Sequence, residues 1–110
     1  MTDIFPNFIK KLPKANINLD GCEAYLLQSK KQQVIFMHFN KDVELPEHNH
    51  ESQWEIVLEG EVIVWINDEK KRYKKGDRFY IPSKIPHKAK IFKNYMSIVI
   101  FNQKDRYKTE

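Results

Sequence analysis

At 110 residues the chain fits one domain, residues 1–110, since a single core usually holds about 100 to 150. A hydrophobic share of 41% excludes a disordered chain and supplies a core. The lone cysteine, Cys22, excludes an intramolecular disulfide and gives no sign of an oxidising compartment.

A net charge of +4 raises nucleic acid as a partner. The densest basic run, "EKKRYKKGDR" at 69–78, carries acids near both ends and lacks aromatics interleaved along a basic face, so no nucleic-acid partner is expected. The N-terminal stretch holds no apolar run long enough for a secretory signal or a membrane span. A cytoplasmic protein without a membrane partner is therefore expected.

In chain order, Phe5, Phe8, Ile9 and Leu12 recur at helical spacing in a segment marked by Pro6 and Pro13. They predict one short N-terminal helix laid over an apolar surface. The chain then breaks into β-type runs: "CEAYLLQSK", "QVIFMHF", "QWEIVLEG", "EVIVWIND", "KKRYKKG", "RFYIP", "HKAKIF" and "YMSIVIF". Runs of about five to nine residues, rich in Val, Ile, Phe and Tyr and separated by turn residues, predict an all-β sandwich or barrel. "INDEK" at 66–70 reads as a tight hairpin, because Asn and Asp tolerate left-handed backbone.

The stretch "LPEHNHESQWEIVLEGE", residues 45–61, spends two of four histidines as His48-Asn49-His50. In a strand, residues i and i+2 share a face about 6.5 to 7 Å apart, so both rings can reach one point. They are either exposed histidines in a polar loop or two ligands of a borderline cation. A third histidine bears on the choice. In "HKAKI", His87, Ala89 and Ile91 alternate with Lys88 and Lys90, so the lysines take the water and His87 turns inward. Pro82 and Pro86 stiffen the turn that delivers it. By the same alternation Glu55 shares an inward face with Gln53 and Val57, while Trp54, Ile56 and Leu58 take the other face and are expected between the sheets. Tyr80 and Trp65 read as pocket lining or plain core, and His38 as structural.

These segments resemble the two motifs of the cupin superfamily, G-x5-H-x-H-x(3,4)-E-x6-G and G-x5-P-x-G-x2-H-x3-N. His48 and His50 match the paired histidines and Gly60 the closing glycine, while Gly76, Pro82 and His87 match the second motif at the right intervals. Gln53 stands where the first motif has glutamate, one residue early. Lys84 stands where the second has glycine, and Ile91 where it has asparagine. No glycine precedes His48 at the family's interval.

The resemblance implies a double-stranded β-helix, or jelly-roll barrel, with ligands converging in its mouth. It implies a divalent transition metal (Fe, Mn, Ni or Zn) held by His48, His50 and His87, with Gln53 as a weak fourth ligand and Glu55 as its alternative. Three neutral imidazoles leave the ion's charge uncompensated, so a small polar or anionic ligand is expected. Glu55 is the candidate catalytic acid or base. Two readings follow: a metal-dependent dioxygenase, isomerase or lyase, and a non-catalytic sensor or accessory module. A homodimer is expected, with Phe5, Phe8 and Ile9 of the N-terminal helix as surface to bury.

Overall fold

The computed structural model describes residues 4–110. Among these residues, a one-turn helix, α1 (Asn7–Lys10), is followed by nine strands: β1 (Cys22–Gln28), β2 (Gln33–Phe39), β3 (Val43–His48), β4 (Gln53–Glu59), β5 (Glu61–Ile66), β6 (Glu69–Lys74), β7 (Arg78–Ile81), β8 (His87–Ile91) and β9 (Met96–Phe101). They form two antiparallel sheets, β1-β2-β9-β4-β7 and β3-β8-β5-β6. The inner faces enclose a core that includes Ile35, Phe39, Val57, Val64, Val99 and Phe101. This is the jelly roll expected. Among the described residues no helix is long and apolar enough to cross a membrane.

The local chemistry explains the turns. β5 and β6 pair in full register from Glu61–Lys74 to Ile66–Glu69, and the two residues between them, Asn67 and Asp68, both have positive φ, 50° and 65°. That is the twist a two-residue hairpin needs. Lys84, at the second motif's glycine position, itself adopts φ 63°, so the turn keeps its left-handed residue without the glycine.

Three expectations need correction. Trp54, Ile56 and Leu58 do not lie between the sheets: Gln53, Glu55 and Val57 face inward, and Trp54 is 39% exposed on the outer face. There Leu27, Val34, Ile100, Trp54 and Tyr80 stand in one row across all five strands. Phe36, Ile98 and Ile56 form a parallel row beside it. Both faces of β4 carry apolar residues, so alternation alone could not choose between them. Tyr80 and Trp65 are likewise outside the core. Tyr80 is exposed, and Trp65 lies under the ammonium groups of Lys70 and Lys88. Finally, Phe5 precedes the helical turn and is buried edge-on against Tyr25. Of the three residues offered to a partner, Phe8 alone stands fully exposed.

Candidate metal centre

β3 and β8 are neighbours, and His48 pairs with His87 in their register. That pairing puts the last residue of one strand opposite the first of the other. His50 follows two residues later, in the loop that leads to β4. The Lys84 N–H donates to the His50 carbonyl at 2.7 Å. Glu51 meets the same β7–β8 turn through the Ser83 hydroxyl at 2.6 Å and the Lys84 ammonium at 3.3 Å. Two loops distant in sequence are thus clasped together, each carrying part of the cluster.

The rings lie 5.2 Å (His48–His50), 4.3 Å (His48–His87) and 4.8 Å (His50–His87) apart, centroid to centroid. Their potential ligand nitrogens fall within 4.8 Å of one another. Nitrogens at about 2.1 Å from a tetrahedral ion stand about 3.4 Å apart, so the widest pair has to close by roughly an ångström or more as an ion binds.

Orientation is fixed by hydrogen bonds within each ring's own neighbourhood. The Nδ1 of His48 contacts the Pro46 carbonyl at 2.8 Å, that of His50 the Glu51 carbonyl at 2.6 Å, and that of His87 the Ile85 carbonyl at 2.9 Å. A carbonyl can only accept, so each Nδ1 carries the proton and donates. That leaves each Nε2 as the ring nitrogen free to meet an ion. Burial lowers the His50 pKa to about 4, with Arg106 and the other two imidazoles adding to the fall, and burial lowers His87 too. Those two rings are therefore neutral at ordinary pH, the state a metal ligand requires. The donor set fits a divalent transition metal. His38 sits on the outer face of β2, away from the cluster.

Beneath the imidazoles, Gln53 and Glu55 face the same cavity. Gln53 Nε2 donates to Glu55 Oε1 at 2.9 Å, so the amide oxygen is turned away from the carboxyl. The Tyr95 hydroxyl donates to Glu55 Oε2. Ser97 approaches the same carboxyl, but its hydroxyl falls short of hydrogen-bond geometry. Burial raises the Glu55 pKa to about 7, against the lowering pull of these donors. A group with that pKa can give or take a proton near neutrality. The cavity measures about 70 Å³, room for a handful of heavy atoms rather than a drug-sized ligand.

Sequence reasoning named five residues of the cavity, His48, His50, Gln53, Glu55 and His87, and missed two others at the site. Tyr95 holds Glu55 from the loop before β9. Arg106 lines the cavity from the C-terminal segment, where no periodic pattern marks it.

A two-sheet β-barrel with three convergent imidazoles at one end defines a small barrel with a candidate metal site. Comparison with known proteins gives that class its family: the cupin domain matches residues 35–92, more than half the chain, and the protein belongs to the cupin family. An uncharacterised protein of Methanocaldococcus jannaschii is 46% identical over 43 residues, 37% of this chain, and the chain spans only 34% of that relative. Among solved structures, an RmlC-like cupin from Shewanella frigidimarina superposes with a TM-score of 0.75 at 24% identity, covering 96% of this chain and 94% of that one. KdgF from Halomonas sp. gives 0.70 at 20% identity over 84% and 88%. Bacillus subtilis oxalate decarboxylase, a protein with Mn(II) centres, gives 0.71 at 19% identity over 88% of this chain and 29% of that one. At these identities the likeness is one of fold.

Proposed function

We propose that the protein is a metal-dependent cupin that binds, and turns over, a small polar or anionic metabolite inside the barrel. The observation that carries this reading is the common tautomer of the three histidines. Each gives its Nδ1 proton to a backbone carbonyl, which leaves Nε2 of every ring as the nitrogen free to meet an ion. A divalent ion there would supply Lewis-acid or oxygen chemistry, of the dioxygenase, isomerase or lyase kind. His48, His50 and His87 would hold it, and Gln53 would offer its amide oxygen as a fourth, neutral donor. Glu55 would hold or accept the proton that moves during reaction, and Tyr95 would keep its carboxyl aimed. The apolar walls, Val64, Phe79, Val99 and Phe101 among them, would exclude bulk water. The proposal extends to a cytoplasmic homodimer that acts on a free small molecule rather than on nucleic acid or membrane.

Elemental analysis tests the metal reading. The purified protein should carry a divalent transition metal at near one ion per chain. Replacing His48, His50 or His87 by Ala should strip most of it while the β-rich circular dichroism is kept. Wild-type metal content in all three variants would overturn the assignment. Iron would direct a turnover screen to oxygen-dependent reactions, and zinc or nickel to Lewis-acid ones.

A further inference from the structure

The C-terminal segment is tied across the end of the barrel by its backbone. Gln33, buried on β2, accepts the Tyr107 N–H at 3.0 Å and donates its Nε2 to the Tyr107 carbonyl at 2.9 Å. Just beyond Tyr107, Asn16 N–H donates to the Lys108 carbonyl at 2.7 Å and Glu110 N–H to the Lys14 carbonyl at 2.9 Å. Arg106 is therefore presented from an anchored stretch and not from a loose tail.

Its guanidinium carbon lies 4.4 Å from the Tyr107 ring centroid and 5.6 Å from that of Phe101. Phe101 in turn meets His50 edge-on at 5.3 Å. Two aromatic faces hold the planar group at the cavity, one ring away from the imidazoles. Yet its Nε is buried without a hydrogen-bond partner. Among the described residues no carboxylate pairs with it. Asp105, its neighbour, receives the Gln103 amide at 3.1 Å, and Glu55 is engaged by Gln53 and Tyr95. A fixed, half-buried cation with an idle buried donor, lining the same cavity as the three imidazoles, calls for an anion from outside the chain.

We propose that Arg106 receives the carboxylate of a small ligand whose other end lies on the metal, making the site selective for short dicarboxylates. The inference rests on the metal reading above and narrows it. The Nε edge of a guanidinium takes a carboxylate through two parallel hydrogen bonds, and the cavity limits the ligand to a few heavy atoms. Arg106 is a binding and positioning residue here. It does not touch the bond that reacts.

The test is calorimetric titration of the zinc-loaded protein with malonate and with malonamate, in which one carboxylate is a neutral amide. Wild type should bind malonate roughly tenfold or more tightly than malonamate. Arg106→Gln should erase that gap while zinc content stays at the wild-type level. Arg106→Lys, which keeps the charge but not the fork, should fall between and stands in should the Gln variant misfold. Equal affinities in wild type, or an unchanged gap in the variants, would overturn the inference and leave the metal reading intact. Should wild type retain no zinc, the metal reading fails on its own. Malonate is then titrated into the metal-free protein, where binding that needs Arg106 upholds the anion site, and absent or Arg106-independent binding overturns it.

Discussion

Glu55 has a carboxyl in a place that water does not reach, and that makes its proton a term in the stability of the fold. Its folded pKa, about 7, stands above the ordinary 4.5. Between those values the folded chain keeps a proton that the unfolded chain has already released. Stability is then complete below about pH 4.5 and is lost as pH climbs toward 7. His50, lowered from 6.5 to about 4, works in the opposite sense, adding stability as pH rises over nearly the same interval. Glu55→Gln separates the two. In the metal-free protein, urea melts should show the variant gaining on wild type by up to about 1.4 kcal/mol per pH unit between 4.5 and 7. Parallel curves would mean that the carboxyl is ionised throughout. Gln53→Glu probes the neighbouring position. Without metal it sets two carboxylates where a 2.9 Å hydrogen bond now lies, and should destabilise the fold above neutrality. With metal it replaces a neutral donor by a charged one, and retention against a chelator should improve by about 1 to 3 kcal/mol. Unchanged retention would assign Gln53 to holding Glu55 alone.

At the level of turns and strands, Gly60 and Gly76 look alike in sequence and differ in space. Both have positive φ, 77° and 91°. A Cβ on Gly60 would stand 2.8 Å from the Tyr95 Cα and 3.0 Å from the Asn94 carbonyl oxygen, whereas one on Gly76 would meet nothing within 4 Å. Gly76→Ala should cost only the left-handed strain, about 1 to 2 kcal/mol. Gly60→Ala should add an overpacking cost of about 1 to 3 kcal/mol, because backbone cannot step aside. Thermal melts of the two variants would rank them, and equal losses would refute the contact. The same scale shows what a reader of the sequence could see. The Asn67–Asp68 hairpin and the alternation of β8 were legible because both are local. β3 escaped notice as a strand: it is an edge strand, carries Pro46, and alternates only half-buried with exposed residues. Arg106 was invisible, since its place depends on Gln33, more than seventy residues earlier.

For the molecule as a whole, the question is what covers the outer face of the larger sheet. Leu27, Trp54 and Tyr80 are 49%, 39% and 58% exposed within continuous apolar rows, and such a surface is most simply buried by a second copy across a two-fold axis. Light scattering should give roughly twice the 13.3 kDa chain mass at micromolar concentration. Trp54→Lys combined with Tyr80→Lys should return the single-chain mass, whereas Phe8→Lys should not. A wild type that stays at 13.3 kDa would refute the pairing, and dissociation by Phe8→Lys alone would move it to the helical turn.

The outer rows also change what a threading error costs while the sheet assembles. Where one face of a sheet is wet, a slip of one residue throws every apolar side chain into water, and the mistake undoes itself. In β4 the slip would exchange Trp54 and Ile56 for Gln53 and Glu55, carrying apolar groups inward and polar groups out. Hydrophobicity scarcely opposes that exchange. Correct alignment is marked instead by bonds that exist in no other register: Tyr95 to Glu55, Gln33 to Tyr107, and the three imidazoles brought face to face. Proofreading of the sheet thus falls to the polar residues of the cavity, and an ion caught by all three rings would act as a template that accepts one threading of the strands and rejects its neighbours.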